Sequence, residues 1–235
     1  MPIPVPPAAD RSPAPDFDAL AGPYRWLEYL SFGPLLQRSR TEFLPQLTSC
    51  QSALVLGDGD GRFTAALLRC NRVVRVHAVD ASPAMLRALT QQALPDQSRL
   101  SVEQADIRHW SPHPGKNFDV IATHFFLDCL TTAEIRDLAA RISPWTSAGA
   151  AWVFSDFSVP PTIYGRIIAA PLVALLYRAF RLLTHLRPQA LPDHAAVLRA
   201  AGWTLANQHS RLGGLLVSQL WRRTPCIPAA PESVS

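Results

Sequence analysis

The sequence predicts an α/β fold: a doubly wound sheet, mostly parallel with an antiparallel last strand, preceded by a helical lid and carrying a helical cap after its fifth strand. Three observations carry this. Short apolar runs alternate with stretches of helical period from about residue 53 to residue 201. The first run ends in a loop with glycines at 57, 59 and 61. Two terminal runs, Trp203–His209 and Leu215–Trp221, follow one another with no helix between them and read as a closing hairpin.

Each element has its own signal. A helical segment spans Asp18–Leu47 with a break near Phe32-Gly33-Pro34. Ala53–Leu56 is a buried strand. Arg62–Cys70 is a helix with Phe63, Ala66, Leu67 and Cys70 on one face. Val73–Val79 is the second strand, ended by Asp80. Ser82 and Pro83 open the next helix, which runs to about Ala93, because serine caps and proline suits the first turn. Leu100–Gln104 is the third strand, closing at Ala105-Asp106, and Phe118–Thr123 is the fourth. Thr131 or Thr132 caps a helix to Arg141, Ala150–Phe157 is the fifth strand, and Pro192–Ala201 is a helix stopped by Gly202.

Composition narrows the class. With 235 residues, 48% of them apolar, the chain can bury a sizeable core as one domain. We divide it into a proline-rich arm at 1–15, expected to be disordered, a domain at 16–223 and a disordered tail at 224–235. Within the domain, 16–47 is the lid and 158–191 the cap. A net charge of +4 with no dense Lys/Arg run does not call for nucleic acid. The four cysteines lie 20, 59 and 97 residues apart, too far for zinc-type pairs, so no metal site is read and a reducing, cytoplasmic setting is expected. The longest uncharged apolar stretch, Ile167–Tyr177, is shorter than the roughly 20 residues a spanning helix needs.

The loop Gly57-Asp58-Gly59-Asp60-Gly61 joins the first strand to the first helix of the repeat. Glycines let a ligand approach the backbone closely, and the helix start offers unpaired N–H groups. A dinucleotide would need its third glycine one position later, where Arg62 stands, and Asp58 and Asp60 would repel a pyrophosphate. A cationic sulfonium suits acidic surroundings. Asp80, with Ala81 beside it, ends the second strand, where a carboxylate can accept from two ribose hydroxyls. Asp106 ends the third strand at the same rim and could accept an adenine amine, with Ile107 packing on the ring. The three loops converge on a nucleoside-shaped crevice.

In these motifs the chain resembles the class I S-adenosylmethionine-dependent methyltransferases. ALVLGDGDGRF (53–63), VHAVDAS (76–82), EQADI (103–107) and FDVIATHFF (118–126) stand in the family's order and spacing. The stretch 17–33 also looks like the lid of the quinone-biosynthesis C-methyltransferase branch. The resemblance implies a Rossmann-like sheet, S-adenosylmethionine as cofactor and methyl transfer to a small-molecule acceptor. It implies that Gly57, Asp58, Gly59, Gly61, Asp80, Ala81, Asp106, Ile107 and the lid residue Tyr24 hold the cofactor. Relatives usually carry Asp or Glu where this chain has Val55, a role that Asp58 or Asp60 could take.

His124 and Asp128 follow the fourth strand, where an acceptor would meet the methyl group. His124 is read as a candidate general base and Asp128 as a second candidate catalytic residue, against His124 packing beneath the lid and Asp128 capping the next turn as the plain alternative. Arg38 or Arg40 could meet the cofactor's carboxylate. The cap carries Arg166, Arg178, Arg181 and Arg187 as its only charges between 163 and 187, and Pro171 should kink it into two helices. Either it covers a lipophilic acceptor and rests on an anionic membrane surface, or it packs on the domain or a second subunit. A non-catalytic nucleoside-binding protein and an NAD-dependent oxidoreductase are the alternative functions. The scarcity of lysine (Lys116 alone) and the displaced glycine speak against the latter.

Overall fold

A computed structural model describes residues 34–94, 96–175 and 192–224. In chain order the elements are α1 (Pro34–Thr41), β1 (Ser52–Leu56), α2 (Arg62–Cys70), β2 (Arg75–Asp80), α3 (Pro83–Gln92), β3 (Leu100–Gln104), β4 (Phe118–His124), α4 (Thr132–Ile142), β5 (Thr146–Phe157), a helix α5 at 163–175, α6 (His194–Ala200), β6 (Trp203–Arg211) and β7 (Leu216–Arg223). The sheet order is β3-β2-β1-β4-β5-β7-β6, with β1 to β5 parallel and β7 antiparallel to both neighbours. The order reverses between β1 and β4, and that reversal opens a crevice at the carboxyl edge of an α/β sheet.

Burial alternates along the inner strands. Ala53 and Val55 of β1 face a core layer with Phe43, Leu47, Phe63, Leu67 and Leu89. Leu54 and Leu56 face the opposite layer with Ile135, Leu138, Trp152, Leu198 and Trp221. Both faces are covered, which is why β1 reads as an unbroken apolar run rather than an alternating one. Two buried indoles of the second layer keep their N–H groups bonded, Trp152 to Thr123 Oγ1 at 3.0 Å and Trp203 to Ser143 Oγ at 3.1 Å.

Local chemistry sets the boundaries. Ser82 Oγ accepts from Met85 N at 3.2 Å and opens α3. Thr131, not Thr132, caps α4 through a capping box in which Glu134 N donates to Thr131 Oγ1 and Thr131 N donates back to the Glu134 carboxylate. Three expectations are corrected. β2 begins at Arg75 rather than Val73, because the buried Asn71 carbonyl oxygen takes the N–H groups of Val73 and Val74, both at 2.9 Å. β5 begins at Thr146 rather than Ala150; a register shift against β4 and the left-handed Gly149 (φ 74°) absorb the irregular start. Pro171 does not divide the described part of the cap into two helices, since α5 runs unbroken from 163 to 175 with a π turn at Gly165–Ala169 just before the proline.

The inner face of α5 packs through Ala169 and Val173 on Leu215, Phe157 and Val159, beside the end of β5. Its outer face exposes Ile163, Ile167, Ile168 and Leu175. The arm at 1–15, Tyr24 and the rest of the lid up to residue 33, the cap beyond residue 175 and nearly all of the tail lie outside the described residues. No helix among the described residues is long and apolar enough to cross a membrane.

Candidate active site

Gly57, Gly59 and Gly61 all adopt positive φ (64°, 60° and 84°), a region that favours glycine. They do so for different reasons. A Cβ on Gly57 would lie 2.3 Å from Phe126 Cδ2, and one on Gly61 would lie 2.6 Å from the Leu89 Cα. Those two glycines are required by packing. Among the described residues a Cβ on Gly59 would meet only Met85 Sδ at 4.0 Å, so those residues leave the space above Gly59 open. The loop therefore leaves room for a ligand at its centre.

The two loop aspartates part company. Asp60 turns to the Arg62 guanidinium, 3.0 Å away. Asp58 is buried and accepts from Thr64 N at 2.8 Å, satisfying an amide in the first turn of α2, while among the described residues its Oδ1 has no hydrogen-bond partner. Burial pushes its carboxyl up to about 6, against the Thr64 bonds and the positive Arg40. Val55 lies in the core layer under α2. Of the two aspartates expected to replace the missing carboxylate, Asp58 alone retains an unpartnered oxygen inside the site.

Asp80 ends β2 opposite Gln104 and accepts from Ser82 N at 2.9 Å through one oxygen. Ala81 is half-buried beside it. Asp106 sits past the end of β3, as expected, but its carboxylate is gripped by Arg108, with Nη2 at 2.6 Å and Nε at 3.0 and 3.1 Å. Burial alone would raise its pKa; the Arg108 bonds outweigh burial and hold it below the usual carboxylate value. Ile107 is buried in the second core layer. An open glycine, an orphaned buried oxygen and a strand-end carboxylate on neighbouring loops suit a cationic nucleoside such as S-adenosylmethionine.

After β4 the backbone is strained: Phe125 has φ 53°, uncommon for a bulky residue, and its N–H bonds to Ser155 O at 2.7 Å. That turn lays the Phe126 ring over Gly57. It also puts the Phe125 ring 4.9 Å from the Arg40 guanidinium, which is itself buried. Arg40 stands close enough to bias Asp58 and His124 together, the place expected of a carboxylate-binding arginine.

His124 and Asp128 are not brought together. His124 Nδ1 lies 3.2 Å from Ser155 Oγ, and the ring packs on Phe63 with centroids 4.4 Å apart. Ser155 Oγ also lies 2.8 Å from Ser39 O and 3.0 Å from Ser218 Oγ, and His124 Nε2 has no hydrogen-bond partner among the described residues. Burial, reinforced by Arg40, drives its pKa down to about 3. The ring is held neutral, turned to Ser155 Oγ and packed on Phe63 rather than facing Asp128. Asp128 instead approaches Asp156. Ser155 and Asp156 are successive strand residues with opposite facing, so His124 and Asp128 lie on opposite faces of the sheet.

Sequence reasoning missed Asp156 and His194. Asp156 is 2% exposed, and among the described residues neither of its carboxyl oxygens has a hydrogen-bond partner. Its Oδ2 lies 3.9 Å from His194 Nε2. The available signal was the polar pair Ser155-Asp156 at the end of an apolar strand. Among the described residues no His/Cys/Asp/Glu group is arranged to hold a metal ion, and Cys50, Cys70 and Cys129 are free thiols.

The sheet order and the strand-end loops define a class I methyltransferase fold. Residues 53–149 match the family described as methyltransferase domain, and that stretch of the chain carries such a domain. Among solved structures the chain is similar to an O-methyltransferase family protein from Burkholderia thailandensis (16% identity, TM-score 0.66, covering 88% of this chain and 59% of that one). It is also similar to the mitomycin 7-O-methyltransferase MmcR (17%, 0.64, 88% and 60%). A third is the N-methyltransferase NodS from Bradyrhizobium japonicum in complex with S-adenosyl-L-homocysteine (15%, 0.60, 82% and 88%). At these identities the likeness is one of fold. The chain spans about six-tenths of the first two proteins. No curated protein matches the chain in sequence.

Proposed function

We propose that this protein transfers the methyl group of S-adenosylmethionine to a small lipophilic acceptor. The observation that carries the reading is Gly59, left-handed with open space above it, between Asp58 with an orphaned oxygen and Asp80 at the next strand end. The donor supplies an already activated methyl group, so the chain's own task is to bind, align and exclude water. In this reading the glycine loop admits the methionine end, with Asp58 at its amino group and Arg40 at its carboxylate. Asp80 takes the ribose hydroxyls. Asp106 and Ile107 border the adenine, with Arg108 holding the Asp106 carboxylate in one orientation.

A lipophilic acceptor is supported by the rings of Phe125 and Phe157, 5.6 Å apart beside the end of β5, and by the apolar helix α5 packed on Phe157. The outward isoleucines of α5 support contact of the 160–191 segment with an anionic membrane surface; co-sedimentation with anionic and neutral vesicles tests that part separately.

The deciding experiment is calorimetric titration of the protein with S-adenosylmethionine and S-adenosylhomocysteine, alongside Asp80→Ala. We expect binding by the wild type that weakens at least tenfold in the variant, since a carboxylate accepting two hydroxyls contributes about 1.5–3 kcal/mol per charged hydrogen bond. Failure of the wild type to bind either compound would overturn the reading.

A further inference from the structure

Asp156 is the least explained polar group among the described residues. A carboxyl 2% exposed with both oxygens unpartnered is costly, and such a group in a folded protein calls for a missing partner. It stands in the last turn of β5, on the carboxyl edge of the sheet, one residue before Phe157 and close to Asp128 from the loop after β4. The second orphan beside it is His194 Nε2, brought from the start of α6. The Leu127 backbone carbonyl acts on the same ring, and among the described residues Nε2 has no hydrogen-bond partner; with the ring proton on Nδ1, Nε2 is an acceptor. The 3.9 Å between Nε2 and Asp156 Oδ2 is too long for a hydrogen bond. An oxygen placed about 2.8 Å from each would close a triangle on that base. Two orphans on different elements therefore point at one small polar group.

We propose that Asp156 and His194 receive the hydroxyl of the methyl acceptor, and that the acceptor is a phenol-type molecule. This rests on the methyltransferase reading above. A hydroxyl suits both orphans because it has one proton to give Nε2 and lone pairs to accept from a protonated Asp156. An ammonium has only donors and cannot accept from that carboxyl. Burial and the neighbouring Asp128 hold Asp156 well above the usual carboxylate range, and burial lowers His194 to about 4, so both groups are neutral when the hydroxyl arrives. The Phe154 ring lies edge-on to His194, centroids 5.4 Å apart, and the partly buried Phe126 packs in the same layer, so the surroundings of the two orphans are aromatic. When the acceptor oxygen bonds the methyl carbon, the carbon–sulfur bond breaks with its electron pair remaining on sulfur. The oxygen's proton passes to His194 Nε2. Asp193, at the head of α6, is the carboxylate acting on the resulting imidazolium, while Asp156 keeps its proton as the donor to the acceptor oxygen.

The test uses the full chain, isotopically labelled in histidine and saturated with S-adenosylhomocysteine, titrated with phenol and separately with benzylamine while the His194 ring resonances are followed. A saturable shift with phenol that disappears in Asp156→Leu and persists in Asp156→Asn, whose amide still donates, with S-adenosylhomocysteine affinity unchanged within twofold, is the expected result. Absence of a phenol shift in a protein that binds S-adenosylhomocysteine would overturn the inference and leave the methyltransferase reading intact, the orphans then being held by water. A shift with benzylamine alone would overturn the hydroxyl assignment. Failure to bind S-adenosylhomocysteine would remove the underlying reading instead. Asp156→Asn also gives a readout without any ligand. Its melting temperature should stay within about 3 °C of wild type, or exceed it, because no native hydrogen bond to the carboxyl is lost. A larger fall would mark Asp156 as a structural partner and overturn the proposal.

Discussion

Substituting alanine at Gly59 and at Gly61 separates a glycine kept for a ligand from one kept for packing. Both sit at positive φ, 60° and 84°. An L-residue there costs about 1–2 kcal/mol, part of which the stiffer unfolded chain offsets. At Gly59 the new methyl group meets nothing closer than Met85 Sδ at 4.0 Å, so the net loss of stability is about 1 kcal/mol. At Gly61 the same methyl would stand 2.6 Å from Leu89 Cα, a backbone atom that cannot rotate away, and displacing α3 adds about 1–3 kcal/mol. For a domain of this size the expected falls in melting temperature are about 3 °C for Gly59→Ala and about 9 °C for Gly61→Ala. Binding should run the other way. Gly59→Ala fills the space proposed for the methionine end and should weaken S-adenosylhomocysteine at least tenfold. Thermal denaturation and calorimetry on the two purified variants check this. The reasoning is refuted if Gly59→Ala binds within twofold of wild type, or if it destabilises as much as Gly61→Ala.

Three further outcomes are expected. His124 has a folded pKa of about 3 against an ordinary 6.5, so its contribution to stability is full above pH 6.5 and is lost as pH falls toward 3. By pH 4.5 the loss is about 3 kcal/mol at 1.36 kcal/mol per unit. In urea unfolding at pH 7 and 4.5, His124→Phe should show a pH difference smaller by about that amount; an unchanged difference would mean the imidazole is not buried neutral. Thr131→Ala removes the capping box of α4 and should cost about 1 kcal/mol in denaturant titration without altering cofactor binding, because α4 lies behind the sheet from the glycine loop. Arg108→Ala should weaken S-adenosylhomocysteine several-fold by freeing the Asp106 carboxylate, while the half-exposed pair itself contributes at most about 1 kcal/mol to stability. An unchanged affinity would take Asp106 out of the site.

Much of the fold was legible in the residues. The Arg62–Cys70 helix and the Leu100–Gln104 strand fall where periodicity put them, and the hairpin of β6 and β7 closes the sheet antiparallel. Boundaries failed where a side chain or a bulge outranked periodicity. Asn71 takes the amides of Val73 and Val74, and Gly149 lets β5 start four residues early. Of the candidate site, the glycine loop, Asp80 and Asp106 were readable because strand-end positions share one rim whatever the packing. The relation of His124 to Asp128 was not, because strand parity sends neighbours to opposite faces and the loop after β4 is bent by a strained Phe125.

What the sequence determined by itself is the alternation of elements, the sheet class and the row of glycines and carboxylates at strand ends, all local in origin. Tertiary structure alone decided the rest. It assigned Gly57 and Gly61 to packing and left Gly59 open, bound Asp60 to Arg62 and Asp106 to Arg108, and isolated the imidazole of His124 on one face. It also brought Asp156 and His194, 38 positions apart in the sequence, to a 3.9 Å separation. These are facts of burial and distance between elements, and burial sets what a polar group costs and how it titrates. No spacing along the chain carries that information.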